Sequence, residues 1–302
     1  MKIFSETFWI ALSGILRNGF INDAWMYRIW RWLGKARLGK TFWIQVKAQR
    51  KLFWLAGEHG KNDALINLKT LINPPLETAL ALVPNEKNSE FIDVGANIGQ
   101  SLLLAKGQRN IRIISYEPSE ACCKMLRQII CKNAFQNVQL RESALGRKAG
   151  NLKLFTESDT DCNASVVPGF RRNTAQIRSV RVSTLDEELR AKIIINPKLI
   201  KIDVEGGELD VLTGGLTTIK KHRPILCIET LFTKNPAHKK RQQIMTKVLH
   251  RYEYTIFHFQ ASQGLVPVKT MDGDPDYQNN DYLCFPTESA RLYFDNSTKG
   301  LN

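Results

Sequence analysis

Short apolar runs alternate with helical stretches from about residue 85 onward, and this alternation constrains the fold more than any other feature of the chain. The runs at 90–94 and 198–204 are rich in isoleucine and valine, which is typical of buried strands. The alternation predicts a parallel sheet covered by helices on both faces. Strands are expected at 90–94, 111–116, 137–141, 198–204, 224–229, 254–259 and 281–285, and helices at about 98–107, 119–134, 206–221 and 237–251.

Added sequence lies between the third and fourth of these strands. Residues 152–156 and 180–183 predict two additional strands, joined by the polar loop 157–178.

At 302 residues the chain has room for one medium α/β domain and an appendage. We expect a helical segment at 1–84, a catalytic domain at 85–290 and a C-terminal tail at 291–302.

The N-terminal segment is basic and contains every tryptophan of the chain. Residues 1–70 hold twelve Lys/Arg and four Asp/Glu, which gives +8 of the formal net charge of +14. The pattern predicts two or three amphipathic helices broken near Gly34 and Gly39. The preferred interpretation is a cap on the catalytic domain. Docking of residues 1–60 on an anionic membrane surface is the second, and nucleic-acid binding is the least favoured.

Composition excludes several classes of protein. Hydrophobic residues at 43% and charged residues at 24% exclude wholesale disorder and a multi-span membrane protein. The apolar run 8–16 is too short to span a bilayer and lacks a signal-peptide cleavage site. The six cysteines form no C-x-x-C pair, so we expect reduced thiols in a cytoplasmic protein. Membrane docking by the N-terminal segment would place this protein at the inner face of the membrane. The histidine spacing predicts no metal site.

A glycine loop follows the first predicted strand. Gly95 and Gly99 allow a tight turn and the close approach of a ligand to the backbone. Glu117 ends the second strand, where a carboxylate can accept hydrogen bonds from both hydroxyls of a ribose. The loop lacks the Gly-x-Gly-x-x-Gly spacing of a nicotinamide-dependent oxidoreductase. Loop and acid together predict an adenosine-containing ligand.

A second group of polar residues ends the fourth strand. Asp203 and Glu205 follow an apolar run there, and two glycines then begin a helix. Because the carboxyl ends of parallel strands meet at one edge of a sheet, we expect these carboxylates near Gly95. Glu229 ends the next strand in the same way.

These motifs together resemble the FkbM family of methyltransferases over about residues 90–286. The residues that carry the resemblance are Phe-Ile-Asp-Val-Gly-Ala-Asn-Ile-Gly (91–99), Tyr-Glu-Pro (116–118), Val-Ser-Thr-Leu-Asp (182–186), Ile-Lys-Ile-Asp-Val-Glu-Gly-Gly-Glu (200–208) and Arg-Pro-Ile-Leu-Cys-Ile-Glu (223–229). The resemblance implies a Rossmann-like class I methyltransferase fold with a seven-stranded, mostly parallel sheet. It further implies S-adenosyl-L-methionine as cofactor and O-methylation of a sugar, glycolipid or natural-product hydroxyl.

The resemblance also implies roles for individual residues. Asp93 would hold the amino group of the methyl donor, Glu117 with Pro118 would take its ribose, and Ser143 and Ala144 would contact its adenine. The residues expected to face its methionine part are Gly95, Ala96, Asn97 and Gly99.

A hydroxyl acceptor benefits from a general base. Asp203 and Glu229 are the candidates for that base, and Glu205 is expected to orient or bind the acceptor. The net charge favours a small-molecule or glycan acceptor that is anionic or lipid-linked. The alternatives are an RNA or protein methyltransferase and, in another class, a non-catalytic adapter that binds a membrane or nucleic acid.

Overall fold

The computed structural model describes residues 42–48, 51–57, 73–84, 86–106, 110–156, 165, 167, 176–260, 263–275 and 280–294. In chain order the elements are β1 (Phe42–Ala48), β2 (Lys51–Gly57), α1 (Pro74–Leu82), β3 (Glu90–Val94), α2 (Gln100–Leu104), β4 (Arg112–Tyr116), α3 (Glu120–Lys132), β5 (Val138–Arg141), β6 (Ala144–Leu145), β7 (Gly150–Thr156), β8 (Gln176–Ser183), α4 (Leu185–Arg190), β9 (Pro197–Ile202), α5 (Glu208–Thr213), α6 (Leu216–His222), β10 (Ile225–Glu229), α7 (Pro236–Arg251), β11 (Tyr254–Gln260), β12 (Gly264–Val268), β13 (Asp281–Pro286) and α8 (Thr287–Phe294).

The largest sheet has eight strands in the order β12-β11-β13-β10-β9-β3-β4-β5. Strands β5, β4, β3, β9 and β10 are parallel, and β13 runs antiparallel to both of its neighbours, β10 and β11. The predicted Rossmann-like α/β fold is confirmed, with one strand more than the seven expected. The additional strand, β12, pairs only with β11 and contains Pro267, which a sheet tolerates at its edge.

Side chains on the two faces of this sheet enter two separate hydrophobic cores. Because side chains alternate along a strand, Ile92 and its neighbours Ile114 and Ile200 pack on one face. Phe91 and Leu199 pack on the other. Each core is closed by helices, so the central strands are buried on both sides, as their continuous apolar sequence requires.

Helix α1 lies within residues 1–84, where the sequence predicts a helical segment. Asn73 caps the helix by accepting a hydrogen bond from the Leu76 amide at 2.8 Å, and two prolines occupy its first positions. Leu76 and Leu80 are buried in the same core as Phe91. Helix α1 therefore packs in the core of the α/β domain, although it precedes the predicted boundary at 85.

Two predictions of helix are wrong in part. The helix expected at 206–221 is two helices, α5 and α6, because Gly214 and Gly215 interrupt it. A Cβ at Gly214 would lie 2.0 Å from the carbonyl oxygen of Gly146, so glycine at this position allows the two backbone segments to approach each other closely. Residues 42–48 and 51–57 pair as the antiparallel strands β1 and β2, where aromatic and β-branched residues favour strand over helix.

Residues 1–41 lie outside the described residues, so the helices expected there stay a prediction. At the C-terminus, α8 extends to Phe294, whose ring packs 4.6 Å from that of Phe257, so the expected tail begins later than residue 291. Within the described part of the chain, no helix is long and apolar enough to cross a bilayer.

The added block between β5 and β9 forms its own three-stranded sheet in the order β6-β8-β7. Both predicted strands, at 152–156 and 180–183, are confirmed and are longer than expected. Residues 144–183 are called the insert below. The insert contains an isolated bridge between Phe155 and Ser165, and Ser165 lies between β7 and β8 in the chain.

Candidate active site

The carboxyl ends of β3, β4 and β9 meet at one edge of the sheet. The amides of Gly95 and Ala96 both donate to the Tyr116 carbonyl at 3.0 Å. A Cβ on Gly95 would lie 1.8 Å from the carbonyl oxygen of Asp203, and Gly95 has the left-handed φ of +82°. Only glycine fits this junction. The predicted convergence of the three strand ends is confirmed.

Glu117 is buried at the end of β4 with its carboxylate held by backbone amides. Oε2 accepts a hydrogen bond from the Asn97 amide and Oε1 from the Ser119 amide, each at 2.8 Å. Burial raises the pKa of Glu117 to about 7, although both amides oppose the shift. Each oxygen retains capacity for one more hydrogen bond, which fits the two neighbouring hydroxyls of a ribose.

Asp93 lies beneath the glycine loop and is fully buried. Its Oδ2 accepts from the Ser101 hydroxyl at 2.7 Å, while its Oδ1 has no hydrogen-bond partner among the described residues. Burial raises the pKa of Asp93, and the nearby ammonium of Lys201 opposes this. The orphaned oxygen fits an ammonium group of a ligand, as predicted for the amino group of the methyl donor.

The remaining residues predicted to bind the donor occupy the same edge. Asn97 has the left-handed φ of +48° and turns the loop toward Glu117. Gly99 begins α2, and a Cβ there would lie 2.9 Å from the Leu126 side chain, so this glycine lets the loop pack on α3. Pro118 follows Glu117 directly, while Ser143 and Ala144 are buried just beyond β5. Their contact with adenine stays a prediction.

Three carboxylates meet beside this loop. Oxygen atoms of Asp203, Glu205 and Glu229 all lie within 4.8 Å of one another. The pKa of Glu229 is raised well above its usual range, first by the negative charge of Asp203, then by burial and by a hydrogen bond between the two carboxyl groups. The sequence predicted each of these residues at this edge, and the structure brings them together.

Two occupants could relieve the repulsion within this cluster. A proton on Glu229 leaves one negative charge fewer and makes the hydrogen bond to Asp203 chemically sound. A divalent cation with oxygen ligands could bind instead, since three converging carboxylates match the preference of magnesium or calcium. The sequence predicted no metal site because histidine spacing was the criterion, and carboxylates from different strands have no such signal.

Lys201 and Asp281 also belong to the site, and the sequence did not assign either of them. Lys201 is buried and its Nζ donates to Asp203 Oδ2 at 2.8 Å. Asp281 is the antiparallel partner of Glu229 across β10 and β13, and its Oδ2 accepts from Asn73 Nδ2 at 2.8 Å. The sequence signal for Lys201 was the presence of a lysine within an apolar strand. Asp281 belongs to a strand that is distant in the sequence.

Glu208 has a structural role in this edge. Its Oε1 accepts from the amides of Val204 at 3.3 Å and Gly206 at 2.8 Å, which closes the turn that carries Glu205. Burial raises the pKa of Glu208 to about 7. This carboxylate therefore shapes the acidic loop.

The strand order and the ligand-accepting loop define a Rossmann-like class I methyltransferase. Residues 93–256 match the model of the methyltransferase FkbM domain, which is more than half of the chain. The protein belongs to the FkbM methyltransferase family. The predicted family is thereby confirmed.

Similar proteins include two fungal methyltransferases. Methyltransferase sdnD of Sordaria araneosa is 26% identical over 156 residues, which are 42% of this chain and 60% of that protein. Methyltransferase 1 of Beauveria bassiana (strain ARSEF 2860) is 26% identical over 152 residues, 44% of this chain and 61% of that protein. The chain thus spans about 60% of the length of the curated relatives that it matches.

Two solved structures are also similar. The methyltransferase FkbM from Methylobacillus flagellatus KT is 21% identical, with 70% of this chain and 48% of that chain covered and a TM-score of 0.43. SMU.1697c from Streptococcus mutans, solved in complex with SAH, is 11% identical, with 71% and 98% covered and a TM-score of 0.40.

Proposed function

We propose that the protein transfers a methyl group to a hydroxyl of a small-molecule or glycan acceptor. The observation that supports this most is the pair of hydrogen-bonded carboxyl groups of Asp203 and Glu229, one of which also contacts the ammonium of Lys201. This pair lies at the strand end that touches Gly95, next to the loop that fits the donor. A proton acceptor beside the reacting methyl group is what hydroxyl methylation benefits from.

S-adenosylmethionine supplies an electrophilic methyl group on a sulfonium when it is bound. The protein then has to hold the acceptor oxygen in line with that methyl and to receive the hydroxyl proton. Asp203 is the better candidate for the base, because Lys201 balances its negative charge while Glu229 carries the proton of the pair. Glu205 is placed to accept a hydrogen bond from a neighbouring hydroxyl of the acceptor.

The acceptor is anionic in this proposal. Helix α7 begins just after the strand that ends in Glu229, so its first turn lies at the same edge of the sheet. Lys234, Lys239 and Lys240 are exposed there and have no ion-pair partner among the described residues. Cations at the rim of a cleft attract a negatively charged substrate. A phosphate or carboxylate on a glycan, including a lipid-linked one, provides that charge.

Transfer of tritiated methyl from S-adenosylmethionine into a fractionated lysate tests the proposal. We expect label in a fraction that resists nuclease and protease and that retains the label in mild base, as a methyl ether does. Label lost with nuclease or protease would favour an RNA or protein acceptor. An absence of label, together with no calorimetric binding of S-adenosylhomocysteine by the folded protein, would favour a non-catalytic adapter.

Chelation distinguishes the two occupants of the carboxylate cluster. If Glu229 holds a proton, EDTA should leave the transfer rate within about twofold of the untreated enzyme, since no step needs a cation. A loss of transfer that magnesium or manganese restores would assign the cluster to a metal.

Flotation with vesicles that contain anionic lipid tests peripheral membrane contact of residues 1–60. If residues 1–60 dock on the membrane, the full chain should float, while a chain that begins at residue 73 should remain in the soluble fraction. Equal behaviour of the two would contradict membrane docking by this segment.

A further inference from the structure

The backbone that carries Glu205 is in an unusual conformation. Glu205 has a left-handed φ of +53° and the next residue, Gly206, has φ +98°. A residue with a Cβ occupies this region at a cost of about 1 kcal/mol or more, so the surrounding structure has to hold it there. This turn directs the Glu205 carboxylate into the cluster with Asp203 and Glu229.

Three side chains from different parts of the chain hold this turn. Glu208 accepts hydrogen bonds from the amides on either side of Glu205. Arg241, from α7, donates to the carbonyl of Gly206 at 3.2 Å. The carbonyl of Glu205 itself accepts from the hydroxyl of Ser165 at 2.6 Å. Only the last of these comes from the insert.

Ser165 is itself firmly placed. Its side chain is buried, and its backbone exchanges two hydrogen bonds with Phe155, at 2.8 and 3.0 Å. The hydroxyl oxygen accepts from the Val167 amide at 3.0 Å, which leaves its proton directed at Glu205. A hydroxyl that accepts from one backbone group and donates to another has a fixed orientation.

We propose that Ser165 is a positioning residue through which the insert sets the orientation of Glu205, and hence how the acceptor is held. The hydroxyl fixes the carbonyl of the left-handed residue, and the carbonyl fixes the direction of its side chain. The part of this proposal that concerns the acceptor rests on the proposed function. The part that concerns the backbone does not.

Hydrogen exchange measured by mass spectrometry tests the backbone part. Ser165→Ala removes the donor, Ser165→Thr keeps it with a side chain suited to an extended strand, and Ser179→Ala removes an exposed serine of the same insert as a control. We expect Ser165→Ala to speed exchange of a peptide covering 203–208 about three- to tenfold, the value of one neutral hydrogen bond. Ser165→Thr and Ser179→Ala should match the wild type.

Kinetics with the labelled acceptor fraction test the positioning part. For Ser165→Ala we expect KM for the acceptor to rise, or kcat to fall, about tenfold, with affinity for S-adenosylhomocysteine unchanged within twofold. Ser165→Thr should restore the rate.

Three results would overturn the proposal. They are exchange in Ser165→Ala equal to that in Ser179→Ala, faster exchange with unchanged kinetics, and failure of Ser165→Thr to restore either property. If the wild type methylates no acceptor, the proposed function fails, while the exchange experiment still decides whether Ser165 holds the turn.

Discussion

The donor side and the acceptor side of the active site are formed by different kinds of interaction. On the donor side, two backbone amides, one from the loop between β3 and α2 and one just after β4, hold Glu117, and glycine provides the space. On the acceptor side, the carboxylates of Asp203, Glu205 and Glu229 converge, and the buried ammonium of Lys201 contacts Asp203. The first side depends on chain geometry, and the second depends on the balance of charge.

This difference predicts how each side should respond to mutation. A site formed by closely packed backbone loses its binding geometry when a side-chain atom is added, because the packed neighbouring groups cannot move away without a large energetic cost. A carboxylate cluster keeps its shape after an isosteric change and loses its chemistry instead.

Gly95→Ala should have the largest effect. The new Cβ would collide with the Asp203 carbonyl, in a conformation that alanine avoids. We expect about 3 kcal/mol lower free energy of unfolding and no measurable binding of S-adenosylhomocysteine by calorimetry. Gly264→Ala is the control, because Gly264 also has a left-handed φ but has open space around it. Equal destabilisation by the two variants would contradict the steric account.

Asp203→Asn should leave the fold and the donor affinity intact while it lowers methyl transfer about 100- to 10,000-fold, the range for loss of a general base. Asp272→Asn, a change of the same kind in an exposed residue, should have no effect on the rate. Rates are compared at saturating donor with the labelled acceptor fraction. Unimpaired transfer by Asp203→Asn would remove Asp203 as the base.

Glu117→Gln should weaken binding of S-adenosylhomocysteine about ten- to a hundredfold, because one acceptor oxygen for the ribose becomes a donor. Glu120→Gln, an exposed acid three residues further on, is the control and should bind as the wild type does.

The affinity of the wild type for S-adenosylhomocysteine should also depend on pH with a known sign. Ribose hydroxyls donate to the ionised form of Glu117, and the pKa of this group is about 7. Affinity should therefore be constant above pH 7 and fall by up to about tenfold per pH unit below it. Calorimetry between pH 5.5 and 8 should show a flat profile for Glu117→Gln. The same slope in the variant would assign the titration to another group.

Charge reversal at the rim should have the smallest effect. The double variant Lys239→Glu/Lys240→Glu should raise KM for an anionic acceptor about three- to tenfold in low salt, with the difference shrinking in high salt. Lys220→Glu/Lys221→Glu makes the same charge change on exposed residues before β10, at the opposite edge of the sheet, and should leave KM unchanged. An equal response to both would contradict an anionic acceptor.

The sequence predicted the donor side more completely than the acceptor side. Gly95 and Glu117 belong to strand ends that local alternation of apolar runs locates, so their meeting followed from parallel strand order. Lys201 and Asp281 add one positive and one negative charge to the site from separate strands, and Ser165 reaches Glu205 from 40 residues away. Such contacts depend on tertiary packing, which no local pattern encodes.

The elements that were predicted wrongly have the same explanation. The boundary expected at residue 85 follows a local change of pattern, whereas the packing of Leu76 and Leu80 beside Phe91 depends on tertiary contacts. The break between α5 and α6 likewise depends on the close approach of Gly146 to Gly214. Local propensity was a weak guide wherever a distant residue made the deciding contact.

The contact between Gly95 and the Asp203 carbonyl has a consequence for engineering this enzyme. Because the two strand ends touch without a side chain between them, neither can be exchanged for that of a relative without refitting the other. New acceptor preferences are better sought by grafting foreign segments into the β7-β8 region, whose described residues contact the acidic turn through the Ser165 hydroxyl. Such chimaeras would inherit an undisturbed donor cradle.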